Sequence, residues 1–272
     1  MVDNDNFDRK TQQFLMDLKE VIDRMDLQML LIGARARMLA FDSQYREGRA
    51  TKDWDLAVKM ESWSRYEQLV EQLTGGEVAR FKKTNVIHKF IHKSTRLEVD
   101  IIPFGEISNN NQEITWSDGN QMSIMGLTEA FSKARIEQIY DFEEIRVLDF
   151  PALVGLKLIA WNERLENKDL SDIVHVLQNY EDDRSIETFF DEINTEQLDY
   201  DTAPSALIGQ DMQSIFKDET LNKICEILLK LIEQSEQHLP QFVSNYEEDW
   251  DNAFEKLVAR FKALEYGLTK VI

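Results

Sequence analysis

The fold of this chain can be worked out from one short segment, Asp53-Trp54-Asp55-Leu56-Ala57-Val58. Acidic and large apolar residues alternate along it. Such alternation predicts a half-buried β-strand, because successive side chains of a strand point to opposite faces. We therefore expect Asp53 and Asp55 to share one face of a sheet, while the tryptophan, leucine and valine pack against the other.

A third carboxylate belongs to a second apolar strand, Val99-Asp100-Ile101-Ile102-Pro103. Residues 86–92 and 97–102 predict a hairpin that turns across 93–96 and is stopped by Pro103. Charged residues are seldom buried unless they are paired or bound to a metal ion. Asp100 therefore needs a partner within its apolar surroundings.

These two strands, if adjacent with matching faces, bring three carboxylates together. Neighbouring carboxylates repel each other unless a cation lies between them, and oxygen ligands suit Mg²⁺. Asp53, Asp55 and Asp100 in such an arrangement are typical of a two-metal site for in-line displacement at phosphorus. Two alternatives stay open: the acids face solvent at a strand edge, or they do not converge at all.

A glycine turn precedes these acids. The apolar run 29–32 predicts a buried strand that ends at Gly33 and leads into a helix. Glycine lets the backbone approach a phosphate closely, and a helix N-terminus favours anions. Arg35 lies in the first turn of that helix, and Arg49 and Thr51 lie in a basic loop. Both places suit a triphosphate, but solvated arginines and an ordinary loop are the alternatives.

The pattern along the chain predicts an α+β fold. A small mixed sheet flanked by helices is followed by a mostly helical C-terminal part, which gives domains at 1–135 and 136–272. The 272 residues, 43% of them hydrophobic, are enough for two modest domains. The predicted helices are 7–26, 34–45, 62–74, 127–134, 151–166, 169–180, 186–193, 205–216, 219–237 and 244–266.

Composition excludes several classes of protein. The net charge of −20, from 31 basic and 51 acidic residues, disfavours general DNA binding, which depends on neutralising phosphates. The single cysteine, Cys225, excludes an intramolecular disulfide and a multi-cysteine zinc site. No apolar run approaches the roughly 20 residues that span a bilayer. We therefore expect a cytoplasmic protein with no membrane partner.

The histidines give no metal site. His88 and His92 are four residues apart, a spacing that could ligate zinc on a helix but not on the predicted strand. We expect both to lie at the surface or at the rim of a pocket.

The order of the motifs resembles a known superfamily. The strand, the Gly-Ala turn, the helix, residues 49–56 and residues 99–105 together resemble the nucleotidyltransferases related to DNA polymerase beta. More narrowly, they resemble bacterial nucleotidyltransferases akin to the abortive-infection toxins. Lys157, Arg164 and Lys168-Asp169-Leu170-Ser171-Asp172 are similar to that group's Lys…Arg…Lys-Asp-x-x-Asp signature. The resemblance covers roughly residues 25–215.

The resemblance implies transfer of a nucleoside monophosphate from a nucleoside triphosphate (NTP) to a hydroxyl acceptor, with release of pyrophosphate. Mg²⁺ or Mn²⁺ would be held by Asp53 and Asp55. Asp100 would complete the metal site and help to deprotonate the hydroxyl. Gly33 and Ala34 would cradle the triphosphate.

The resemblance also assigns residues in the helical part. Lys157 would reach the phosphates, and Asp169 would orient Lys157 or the acceptor. The acceptor could be RNA, a protein or a small molecule, with RNA suggested by the toxin group; no oligomeric state is implied. The superfamily usually has Gly-Gly or Gly-Ser where this chain has Gly33-Ala34, so a serine hydroxyl is missing. This departure supports an alternative, a catalytically inactive nucleotide-binding or partner-binding module of the same fold.

Overall fold

The structure is a computed structural model, and it describes residues 2–33, 53–139, 142–243 and 249–270. The described residues form two compact units that divide between Leu148 and Asp149. Across these ranges, no helix combines the length and the apolar character needed to cross a membrane.

The first unit is built on a mixed sheet. Within the described residues, seven strands follow the order β3-β4-β5-β2-β1-β9-β8, and β6 pairs with β7 in a separate sheet. The α+β class predicted from the sequence is confirmed. The elements are α1 (Val2–Arg24), β1 (Met29–Ile32), β2 (Asp53–Lys59), α2 (Trp63–Thr74), β3 (Phe81–Lys83), β4 (Lys89–His92), β5 (Glu98–Phe104), β6 (Glu113–Thr115), β7 (Gln121–Ser123), α3 (Leu127–Lys133), β8 (Arg135–Ile139) and β9 (Phe142–Val147).

Pairing at the centre of the sheet joins the two acidic strands. β2 runs antiparallel to β1 and parallel to β5, and β4 and β5 form the expected antiparallel hairpin. β8 and β9 extend the sheet past the predicted domain boundary at residues 135 and 136. They do so because β9 pairs in parallel with β1, with Arg146 beside Leu30 and Val147 beside Leu31.

The hairpin ends before Pro103, as expected, but the second acidic strand does not. β5 continues to Phe104, with Pro103 beside Val58 of β2. The nitrogen of Ile101 donates to the carbonyl of His88, so the nitrogen two residues later points to the same side. The described pairing with β4 ends before that position. Proline is therefore tolerated, because no strand there requires its missing N–H.

The apolar face of the sheet forms the core of the first unit. Trp54, Leu56 and Val58 are each at most 1% exposed, which confirms the alternation predicted for β2. Phe14 of α1 packs on the Trp54 ring with centroids 5.5 Å apart and meets Phe81 edge to face. The opposite face of β2 is therefore left for the two aspartates.

The expectation that His92 lies at the surface is also wrong. His92 is 1% exposed, because its alternation with Lys89 turns it toward α1. Its Nε2 lies 2.8 Å from Asp17 Oδ2, and its Nδ1 lies 2.7 Å from Thr95 Oγ1. Burial lowers the pKa of His92 and outweighs the opposing hydrogen bond to Asp17, while the charge of Arg80 lowers it further. A neutral ring satisfies both partners.

The second unit is helical, as predicted. The predicted helices 186–193 and 219–237 are each broken, at Phe189 and Gln234 respectively, and the first break lets Phe189 pack in a buried cluster with Ala203 and Ala206. The elements are α4 (Phe150–Arg164), α5 (Asn167–Asn179), α6 (Arg184–Thr188), α7 (Phe190–Asn194), α8 (Ala203–Ile215), α9 (Asp218–Glu233), α10 (Ser235–His238), a 3₁₀ turn (Pro240–Phe242) and α11 (Trp250–Thr269).

Two glycines let α8 and α11 pack backbone against backbone. A Cβ at Gly267 would overlap the carbonyl oxygen of Ala206, and a Cβ at Gly209 would overlap that of Leu264. Glycine within a helix costs about 1 kcal/mol relative to alanine. The close crossing of the two helices compensates for that cost.

We expect Gly267→Ala to destabilise the protein by about 1–3 kcal/mol, because the added methyl group forces the two helices apart. At an open helix position, the same substitution would raise the free energy of unfolding, because alanine has a higher helix propensity than glycine. Chemical denaturation measures the change. Lys262→Ala, at an exposed position of the same helix, is the control, and an equally small effect of both substitutions would contradict the packing described here.

Stability should fall as the pH drops below about 6.5, the pKa of an unperturbed histidine. The folded-state pKa of His92 is depressed, so the unfolded chain binds the proton first and is favoured in acid. The pKa of His88 is lowered in the same direction by burial. Urea unfolding at about pH 7.5 and about pH 5.5 should differ less for His92→Gln than for the wild type. A His238→Gln control should keep the full difference, and equal pH dependence in all three proteins would refute the assignment.

Candidate active site

Register places four carboxylates on one face of the sheet. β2 and β5 run parallel, with Asp53 beside Glu98 and Asp55 beside Asp100. Paired residues of neighbouring strands point to the same side of a sheet. We call this side, defined by these four residues, the acidic face. The adjacency of the strands that carry the three predicted acids is therefore confirmed.

A lysine bridges the acidic face. Lys89 of β4 stands opposite Asp100, and its Nζ lies 3.1 Å from Asp53 Oδ2, 3.4 Å from Glu98 Oε2 and 3.6 Å from Asp100 Oδ1. Sequence reasoning missed Lys89 and Glu98. Lys89 could have been found from the sequence, because the predicted hairpin pairs residue 89 with residue 100 and so places the lysine beside Asp100.

The surrounding carboxylates hold Lys89 in its charged form. Burial alone would lower the pKa of its ammonium group. The hydrogen bond to Asp53 and the charges of Asp100 and Asp53 outweigh burial, so the pKa lies above its ordinary value. Lys89 therefore places a positive charge on the acidic face at neutral pH.

Gly33 brings backbone directly against the acidic face. It follows β1, whose last residue Ile32 pairs with Asp55. Its φ of +69° lies in the left-handed region that favours glycine. A Cβ at Gly33 would overlap the carboxylate of Asp55. The predicted glycine turn is thus located beside the predicted acids, and glycine is needed there for two independent reasons.

Four of the predicted nucleotide-binding residues, Ala34, Arg35, Arg49 and Thr51, lie outside the described residues, as does the predicted helix 34–45. Their contacts stay predictions from the sequence.

The second unit contains a cluster of four charged groups, in which the two carboxylates are buried and Arg164 reaches them from the surface. Lys157 of α4 lies between two aspartates of α5, with Nζ 3.0 Å from Asp169 Oδ1 and 2.8 Å from Asp172 Oδ2. Arg164 donates from Nε and Nη2 to the two oxygens of Asp169, each at 2.7 Å. The expected pairing of Lys157 with Asp169 is present. Asp172 was missed as a partner, although its spacing from Asp169 places both on one helix face.

Charge balance makes this cluster tolerable in the interior. Asp169 is 0% exposed, and burial by itself would raise the pKa of its carboxyl group. The hydrogen bond from Arg164 and the charge of Lys157 outweigh burial and lower that pKa. Because two cations face two carboxylates, the position of the Lys157 ammonium is fixed by its partners.

The acidic face fits a divalent cation in its chemistry. Its donors are hard carboxylate oxygens, and Asp53 and Asp100 already share one cation, the ammonium of Lys89. In the part of the chain that the structure describes, no three histidine, cysteine, aspartate or glutamate side chains converge as a metal-binding group. Three of these carboxylates, those of Asp53, Glu98 and Asp100, lie around the ammonium of Lys89.

Comparison with known families decides the identity of the chain. The model of the family described as "Nucleotidyl transferase AbiEii toxin, Type IV TA system" matches residues 26–260, which is most of the chain. The chain belongs to the AbiEii family. It is therefore a nucleotidyltransferase enzyme, and the resemblance inferred from the motifs is confirmed.

Solved structures similar to this AbiEii-family chain include ANT(2'')-Ia in complex with adenylyl-2''-tobramycin, at 17% identity and a TM-score of 0.38, covering 69% of this chain and 99% of that one. They also include the MenT4 nucleotidyltransferase toxin of Mycobacterium tuberculosis, at 9% identity and a TM-score of 0.36, covering 90% and 76%. TM-scores this low carry no conclusion about function. No curated protein matches the chain.

We expect Asp169→Asn to destabilise the protein by about 3–5 kcal/mol, because it removes the buried carboxylate that pairs with Arg164 and Lys157. Chemical denaturation measures the loss. Glu166→Gln is the control, since the pair that Glu166 forms with Lys168 is exposed and its loss should change stability by less than about 1 kcal/mol. Equal effects of the two substitutions would show that the buried cluster does not hold α4 and α5 together.

Proposed function

We propose that this AbiEii-family enzyme uses Mg²⁺ or Mn²⁺ to transfer a nucleoside monophosphate from an NTP to a hydroxyl acceptor. The observation that carries the proposal is the register of β2 and β5, which places Asp53, Asp55 and Asp100 on one face. Carboxylates brought together in this way need positive charge between them. A bound divalent cation would supply that charge.

Asp53, Asp55 and Asp100 would hold the metal. When bound, the metal supplies positive charge that stabilises the triphosphate and the developing negative charge at phosphorus. The remaining chemistry is an in-line displacement. The acceptor oxygen forms a bond to the α-phosphorus, the bond from that phosphorus to the bridging oxygen breaks, and pyrophosphate leaves with the electron pair. Asp100 accepts the hydroxyl proton, because it stands opposite Asp55 and is less exposed than Asp53.

The glycine turn supports a triphosphate site beside the acids. Gly33 brings the backbone of the turn against the carboxylate of Asp55, so a triphosphate held by main-chain N–H groups of this turn would lie next to a proposed metal ligand. Ala34, Arg35, Arg49 and Thr51 are proposed as further contacts to the nucleotide from their positions in the sequence.

Lys157 and Asp169 are proposed as nucleotide-binding residues of the helical unit. Lys157 retains 11% exposure of its side chain, and its two carboxylate partners limit its movement. A lysine held in this way presents its charge to an anionic ligand without a further loss of side-chain entropy on binding.

RNA is the acceptor we favour, on the basis of the toxin family to which the chain belongs. The net charge of −20 restricts such binding to a local basic surface, because contacts to phosphates depend on lysine and arginine. An acceptor that contributes a single hydroxyl end, rather than a long duplex, meets this restriction.

A nucleotide-binding module without turnover is the second candidate. It is favoured by Ala34, which lacks the hydroxyl that Gly-Ser turns supply, and by Lys89, which already offsets part of the negative charge of the acidic face. Such a module would bind NTP without releasing pyrophosphate.

The test is to incubate the enzyme with each of the four α-³²P-labelled NTPs, MgCl₂ or MnCl₂, and cell extract. We expect label to enter a macromolecule and to be removed by ribonuclease rather than by protease. Asp53→Asn and Asp100→Asn should each reduce labelling at least about a hundredfold, because they remove a metal ligand or the proton acceptor.

Glu67→Gln, at an exposed position of α2, is the matched control and should keep full labelling. Asp53→Asn labelling equal to that of the control would rule out the proposed site. NTP binding with no labelled product under any condition would favour the inactive module.

A further inference from the structure

The ammonium of Lys89 occupies the place between the carboxylates that the proposed function gives to a metal. It lies within 3.6 Å of oxygens of Asp53, Glu98 and Asp100. Its side chain is 21% exposed, so it is held against the sheet rather than extended into solvent. Two of these three carboxylates are proposed metal ligands.

The strand β4 fixes the direction of this lysine. Phe90 and His92 are each 1% exposed and pack on the apolar face. Alternation therefore sends Lys89 to the acidic face, where the hairpin register sets it opposite Asp100. A slip of one residue would bury lysine and expose phenylalanine, so the core on the other side of the sheet maintains the placement.

A divalent cation and this ammonium compete for the same oxygens. Both need lone pairs of Asp53 and Asp100, and their positive charges repel each other at such short range. Lysine carries a compact charge on a flexible four-carbon stem, so its head group can move into solvent while its backbone stays in the strand. The carboxylates therefore bind either the ammonium of Lys89 or a divalent cation, but not both at once.

We propose that Lys89 is a positioning residue that offsets part of the charge of the carboxylates in the metal-free enzyme and must be displaced when a divalent cation binds. The inference rests on the proposed function, because it takes Asp53 and Asp100 as metal ligands. Lys89 then has two opposite effects: it stabilises the metal-free protein and weakens its affinity for metal. Metal binding becomes dependent on conditions that release the lysine, such as the arrival of a triphosphate.

The size of the effect follows from the fraction of molecules in which the lysine is displaced. An apparent dissociation constant equals the intrinsic one divided by the fraction that is competent to bind. If about a tenth of the molecules have Lys89 displaced, its removal tightens metal binding about tenfold. A residue with a merely structural role would change affinity in the opposite direction or not at all.

The experiment is titration of the full chain with MnCl₂ alone, without nucleotide, by isothermal calorimetry, together with thermal unfolding in EDTA and in saturating Mn²⁺. Lys89→Met and Lys89→Gln both remove the charge and keep much of the side chain's length, so one can replace the other if it fails to fold. Lys89→Arg keeps the charge. Lys83→Met, at an exposed position of β3 paired with Phe90, removes an equal charge away from the acidic face.

We expect Lys89→Met or Lys89→Gln to bind Mn²⁺ about tenfold more tightly than Lys83→Met and the wild type. In EDTA, each should unfold at a lower temperature than the wild type, and saturating Mn²⁺ should close that gap. Lys89→Arg should bind Mn²⁺ as the wild type does. Unchanged or weaker Mn²⁺ binding by the uncharged variants would overturn this inference alone. Absence of Mn²⁺ binding in the wild type and in every Lys89 variant would overturn the proposed metal site as well.

Discussion

Asp55 and Asp100 stand opposite each other on β2 and β5, and the repulsion between such neighbours has to be offset by positive charge. The parallel register of β2 and β5 fixes this arrangement, and the same register sets Asp53 beside Glu98. The side chains cannot turn away without moving Trp54 out of the core. The packing of the apolar face of the sheet therefore forces these carboxylates together on the opposite face. The chemistry proposed for the enzyme depends on that arrangement.

The acidic face also explains two other features of the first unit, the glycine at position 33 and the lysine at position 89. Gly33 must lack a side chain because the carboxylate of Asp55 lies against it, and this contact sets the glycine turn directly beside the acidic face. Lys89 supplies a positive charge when no other cation does. The second unit uses a different solution, since Lys157 and Arg164 balance the charges of Asp169 and Asp172. Those two carboxylates are compensated within the protein, whereas we propose that the acidic face exchanges its lysine for a cation from solution.

Much of this could be predicted from the sequence where a local pattern determines the structure. The alternation in residues 53–58 gave the correct faces of β2, and the apolar periodicity gave most helices of the second unit. Local sequence patterns gave wrong or missing predictions where contacts between residues far apart in the chain determine the structure. Pro103 is tolerated because of where β4 ends, and His92 is buried because Asp17 and Thr95 satisfy it. Strands β8 and β9 depend on pairing with β1, which no local signal reveals.

The central claim is that the acidic face binds a divalent cation in place of lysine. A crystal structure of the enzyme with Mn²⁺ and a non-hydrolysable NTP, with anomalous data, tests it most directly. The account predicts an anomalous peak in contact with oxygens of Asp53 and Asp55, with the ammonium of Lys89 displaced from Asp53 and Asp100. An acidic face without anomalous density, with Lys89 still bound to both carboxylates while the nucleotide is present, would contradict it.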